Sequence, residues 1–104
     1  MKTKDGSWID VPPIDGTLVV NVGDVAEIWT NGFCHSIMHR VAKPTTSDRY
    51  SVATFVDPCL DCIIVPGDAK GNSNYEMDER LKSLSSKPYK YKDFLSEYYS
   101  KSLA

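Results

Sequence analysis

The sequence predicts a mainly β chain, an antiparallel sandwich or barrel of the jelly-roll kind, partial in extent and closed by C-terminal helices. Three observations carry that expectation. Short runs of β-branched and aromatic residues recur at 17–22, 37–41 and 49–56. Turn signals separate them, namely Asp5-Gly6, Asp15-Gly16, Asn31-Gly32 and Pro66-Gly67. Past Pro66 the apolar period lengthens from that of strands to that of helices.

Taken in order, Asp5-Gly6 is a hairpin signal and Trp8-Ile9-Asp10-Val11 its outgoing strand. Only Met1 to Lys4 are left for the incoming strand, so that partner is expected to be very short or missing. Pro12-Pro13 stops pairing, because neither proline can donate to a ladder. In the strand expected over 17–22, Leu18, Val20 and Val22 share one face and Val19 and Asn21 the other, so both faces are nearly apolar, as in a sandwich core. Gly23-Asp24 breaks that strand, 26–30 reads as a short further one, and Asn31-Gly32 reads as a hairpin leading into 37–41. A polar turn over 43–48 precedes the strand at 49–56, and 62–65 is one more short strand before a polar loop running to Asn74. Met77, Leu81 and Leu84 recur at helical spacing before Pro88, and Tyr91, Phe94, Leu95 and Tyr98 define a second amphipathic helix. No internal repeat or linker interrupts the chain, which reads as one domain over 1–104.

Composition narrows the function classes. A chain of 104 residues, 41 % hydrophobic, makes one small domain with little stability to spare. A net charge of −2 without a clustered basic run argues against nucleic acid as a partner. No apolar stretch is long enough to span a bilayer and the first residues lack a signal-peptide core, so no membrane is expected and the cytoplasm is the default compartment. Three cysteines, an odd number, suit a reducing environment better than a disulfide framework. Cys59-Leu60-Asp61-Cys62 has the spacing of half a zinc site, but no second Cys or His pair follows, and no helix opening after a strand recommends redox chemistry there.

Three residues stand out chemically. Period 2 puts His39 on a face with Ile37 and Val41, an imidazole among aliphatic side chains. It also puts Arg49 and Ser51 on a face with Ala53 and Phe55. A guanidinium on such a wall calls for an anion, and its fork with the hydroxyl would hold a small carboxylate through charge-assisted bonds of roughly 1.5 to 3 kcal/mol each. The bland alternatives are a core histidine satisfied by one hydrogen bond, and an internal ion pair of Arg49 with Asp48 or Glu27. His35 lies four residues from His39, about 13 Å along a strand, too far to share a metal ion, and is read as a surface residue. Asn21 and Trp29 are read as structural.

The ordered series Gly16 to Asp24, Glu27 to Gly32, Ser36 to Val41 and Asp48-Arg49-Tyr50-Ser51 resembles the C-terminal half of the Fe(II)/2-oxoglutarate-dependent dioxygenases of the isopenicillin N synthase-like branch. The resemblance is dense over about the first 60 residues and looser in the tail. It implies a double-stranded β-helix, of which this chain supplies about five of eight core strands. It implies that His39 is the second histidine of a two-His-one-carboxylate Fe(II) site and that Arg49 and Ser51 grip the far carboxylate of 2-oxoglutarate, all three facing the barrel interior. No acid–base catalytic residue is implied. In the family the first histidine and the carboxylate form a His-x-Asp pair about 50 to 60 residues before the second histidine. Only 38 residues precede His39, and His35 is the one histidine among them. The N-terminal strands with that pair are thus expected to be absent, and iron to bind weakly or not at all. Three functions follow as expectations: an oxidoreductase acting on a small organic molecule with O2 and decarboxylation of 2-oxoglutarate; an inactive fragment or degenerate relative that binds a small dicarboxylate; or a fragment that needs a complementing chain to supply the missing strands.

Overall fold

Gly23 opens the first helix, α1 (Asp24–Trp29), with Asp24 and Glu27 in the first turn, where the positive end of the helix dipole favours carboxylates. Its end is built from Asn31-Gly32. Asn31 has φ of 50° and Gly32 of 79°, and Asn31 N–H donates to Ile28 O at 3.1 Å while Gly32 N–H donates to Glu27 O at 2.8 Å. That paired closure of the last turn is a Schellman motif. The computed structural model describes residues 1–67, 77 and 79–102. Its other elements are β1 (Ile63–Ile64), α2 (Glu79–Lys82), β2 (Tyr89–Lys90) and α3 (Tyr91–Ser102).

Two units divide the chain. The second unit (Asn21–Ser36 with Pro58–Ala104) contains all five elements and the described core. β1 and β2 pair antiparallel, Ile63 opposite Lys90 and Ile64 opposite Tyr89. The pairing runs on into α3, whose first N–H groups find backbone acceptors: Tyr91 donates to Cys62 O and Lys92 to Leu60 O, each at 3.0 Å. Ile28 and Leu81 are 0 % and 1 % exposed and pack with Ile64, Met77, Tyr91 and Phe94. Burying each aliphatic side chain contributes roughly 1.5 to 3 kcal/mol. Phe94 stacks with Tyr89, Tyr91 and Tyr98 at centroid distances of 5.7, 6.2 and 6.0 Å, as the periodicity of the last segment predicts. The helix expected from Met77 to Leu84 is shorter, four residues, with Leu81 as its buried member and Leu84 packed at the edge of the core. The loop expected over 68–74 lies outside the described residues.

Tyr89 marks a stored cost in this core. Its hydroxyl is buried and meets no hydrogen-bond partner among the described residues. Burial, with a smaller contribution from the Asp24 charge, pushes its pKa up from 10 to about 12. The unfolded phenol ionises near 10 and the folded one near 12, so stability is intact below pH 10 and drains away as the pH climbs toward 12. Tyr89→Phe is expected to stabilise the unit by about 1 kcal/mol and to remove that share of the alkaline loss, as read by urea unfolding at neutral and alkaline pH.

The first unit (Met1–Val20 with Ile37–Asp57) differs from expectation most. The Asp5-Gly6 turn forms, with Gly6 at φ of 88° and Lys2 bridged to Trp8, and the incoming arm is as short as Met1 to Lys4 allow. Thr3 donates to the Asp5 carboxylate, which also accepts from Ser7 N–H, and these bonds hold the Asp5 pKa below its usual value. Lys2 N–H donates to Met38 O at 2.8 Å, and the Arg40 guanidinium lies 4.1 Å over the Trp8 ring. Beyond these contacts, the strands expected over 17–22, 37–41 and 49–56 are not paired into a sheet among the described residues, and 26–30, also expected to be a strand, falls mostly within α1. The described residues are therefore not mainly β, and a jelly roll is not seen in them. The physical reason is that among the described residues no sheet faces these apolar segments: Leu18, Phe55 and Val56 are 90 %, 81 % and 97 % exposed. Too few strands with nothing to cover their apolar face do not hold a ladder in water.

Candidate iron and dicarboxylate site

His39, Arg49 and Ser51 all belong to the first unit and all are exposed. The inward-facing placement expected for them is not seen: among the described residues no sheet covers these segments, and all three side chains stand in solvent.

Each retains a chemistry that suits the expected role. The His39 ring donates from Nδ1 to its neighbour's carbonyl, Ile37 O, at 3.0 Å. In the neutral ring this bond fixes the proton on Nδ1 and leaves a lone pair on Nε2, the arrangement in which an imidazole ligates a metal. That nitrogen fits one corner of an Fe(II) site. No group of three or more His, Cys, Asp or Glu among the described residues could hold a metal ion, so the remaining corners are not supplied there.

Arg49 meets no ion-pair or hydrogen-bond partner among the described residues, and neither does Ser51. The internal ion pair with Asp48 or Glu27, open as an alternative from spacing, does not form. Glu27 is instead 2 % exposed and accepts from Ser36 N–H at 2.5 Å. His35, expected at the surface, is half-buried beside that segment, and Asn21 and Trp29 are exposed.

A cavity of about 260 Å³ lies in the second unit, and none of the three residues lines it. Its charges are already matched. Arg80 makes a two-pronged pair with Asp24 at 2.9 and 3.1 Å, and Lys101 meets Glu97 at 2.6 Å, so the cavity offers a diacid no unpaired guanidinium.

One feature of the second unit escapes sequence reasoning. The Cys59 and Cys62 Sγ atoms lie 2.7 Å apart. Their spacing was the available signal, but spacing alone does not say whether two thiols meet.

Comparison with known proteins gives the site its context. The family model of the 2OG-Fe(II) oxygenase superfamily matches residues 1–58, a span that includes His39, Arg49 and Ser51. Among relatives, a 1-aminocyclopropane-1-carboxylate oxidase 1 of Doritaenopsis sp. is 39 % identical over 98 residues, 94 % of this chain and 30 % of its own. The corresponding oxidase of Persea americana is 47 % identical over 66 residues, 64 % of this chain and 21 % of its own. Thebaine 6-O-demethylase of Papaver somniferum is 49 % identical over 63 residues, 61 % of this chain and 17 % of its own. The chain thus spans less than a third of the length of these relatives. No solved structure matches it. With more than half of its residues inside the family match and the ordered motif around His39 and Arg49 within that half, the chain belongs to the 2OG-Fe(II) oxygenase superfamily, whose members use Fe(II) and 2-oxoglutarate.

Proposed function

We propose that this chain is the C-terminal part of an Fe(II)/2-oxoglutarate-dependent dioxygenase domain, an oxidoreductase acting on a small organic molecule. His39 supplies one iron ligand through Nε2, and Arg49 with Ser51 holds the distal carboxylate of 2-oxoglutarate. The observation that carries this reading is the coincidence of an imidazole whose Nδ1 bonds a backbone carbonyl and a guanidinium without a partner, both inside the family match. Bound Fe(II) with O2 and 2-oxoglutarate supplies the oxidising power, the cosubstrate leaving as succinate and CO2. The chain's own residues position the cosubstrate and, once covered, keep water from it.

The apolar residues left exposed over 17–22 and 49–56 support the further reading that additional polypeptide, in the same chain or a complementing one, completes the double-stranded β-helix and carries the His-x-Asp pair. The relatives' names give 1-aminocyclopropane-1-carboxylate and thebaine as what they act on, and both support a small-molecule substrate here. Three free thiols suit the cytoplasm. No helix among the described residues is long and apolar enough to cross a membrane.

A second reading, a degenerate relative that binds a dicarboxylate without turnover, draws on the unpartnered Arg49 alone. Calorimetry separates the two. Titrated with 2-oxoglutarate, the chain joined to a family segment carrying His-x-Asp is expected to bind in an Fe(II)-dependent manner. Arg49→Ala is expected to weaken that binding about 100-fold, the loss of two charge-assisted bonds. Binding by the chain alone, without metal, favours the degenerate relative. An unchanged affinity in Arg49→Ala overturns the clamp in both.

A further inference from the structure

Cys59 and Cys62 bracket a turn held from two sides. Within it, Cys62 N–H donates to Cys59 O at 2.9 Å. From outside, the first N–H groups of α3 bind the Leu60 and Cys62 carbonyls, and Lys92 Nζ reaches the Asp61 carboxylate at 3.1 Å. The turn is therefore the seat of α3, and β1 starts on its far side at Ile63.

On this seat the two Sγ atoms stand 2.7 Å apart, between a bond of about 2.05 Å and an ordinary non-bonded contact. Among the described residues no third His, Cys, Asp or Glu joins the pair, whereas a structural zinc takes four ligands. The geometry points to a reversible redox site, in which Cys59 and Cys62 form an intramolecular disulfide by exchange with a small-molecule disulfide and staple the turn on which α3 rests.

Cys59 is exposed and Cys62 half-buried, which assigns the order of events. The Cys59 thiolate attacks one sulfur of the incoming disulfide, forming a mixed disulfide and releasing one small thiol. The Cys62 thiolate then attacks Cys59 Sγ, forming the protein disulfide and releasing the second. Two electrons pass to the small disulfide, and the two protein thiol protons end on the two released thiols. The hydrogen bond to Cys59 raises the Cys62 pKa, in keeping with its acting second.

The test is equilibration of the chain with mixtures of reduced and oxidised glutathione near neutral pH, in buffer and in concentrated urea, followed by acid quench, alkylation and peptide mass mapping. The expected product is a Cys59–Cys62 peptide lacking two hydrogens, with Cys34 alkylated. Its equilibrium constant is expected to be about tenfold larger in buffer than in urea, equivalent to about 30 mV, because the fold holds the sulfurs together. Cys62→Ser is expected to stop at a Cys59–glutathione mixed disulfide. Equal constants in the two solvents, or both thiols alkylated at the most oxidising mixture, overturn the proposal. The result does not depend on whether the chain binds iron, so it fails or stands separately from the oxygenase reading.

Discussion

Joined to a polypeptide that carries the family's His-x-Asp pair, the chain is expected to bind Fe(II) about 100-fold or more tightly than it does alone. The chain's own contribution is one imidazole, and Fe(II) stands low in the affinity order of divalent metals, so a single nitrogen cannot hold it against water and competing ions. Two further ligands convert weak, exchanging contact into a site. His39→Ala in the joined protein is expected to return the affinity to the level of the chain alone, and metal titration under anaerobic conditions reads both numbers. His39→Ala is not expected to lower stability, because the ring is exposed and bonds only its own chain at Ile37.

Leu81→Ala carries the largest expected effect on stability. Leu81 is fully buried among Ile28, Met77, Tyr91 and Phe94, and truncation removes its transfer free energy and leaves a cavity, a cost of about 2 to 5 kcal/mol. A unit with so few buried side chains has little beyond that to lose. Urea unfolding followed by circular dichroism is expected to show α3 helicity lost in the variant without denaturant. Val56→Ala, by contrast, is expected to fall within about 0.5 kcal/mol of the parent, because 97 % of the residue already faces water.

These two substitutions mark how far the sequence could be read. Helix α3 was legible because Tyr91, Phe94 and Leu95 repeat at helical spacing and find a core within their own unit. Helix α1 was not, because a six-residue segment carries too little period to separate helix from strand. Asn31-Gly32 suggests a hairpin, yet it closes α1 instead, because a hairpin turn and a helix C-terminus both favour the positive φ these two residues adopt. At 17–22 and 49–56 the apolar pattern says that a strand there would be buried. It does not say that anything is present to bury it, and Leu18 and Phe55 stay in solvent for want of a facing sheet.

The site was legible in a different way. His39, Arg49 and Ser51 stand out through motif order, and the family match over residues 1–58 spans all three. Motif order does not fix whether they converge, because a facial metal site is a property of two sheets facing each other and the residues of one segment cannot determine it. The bond from His39 Nδ1 to Ile37 O is the one part of the site geometry that local chain alone determines.

Hydrogen exchange over 17–22, 37–41 and 49–56 tests the central claim, that these segments are strands of a metal-holding barrel whose other sheet comes from further polypeptide. In the chain alone the amides at 49–56 are expected to exchange at open-chain rates. In the chain joined to the segment carrying His-x-Asp, all three stretches are expected to become protected together with the onset of Fe(II) binding. Exchange that stays fast in the joined, iron-loaded protein would contradict the account.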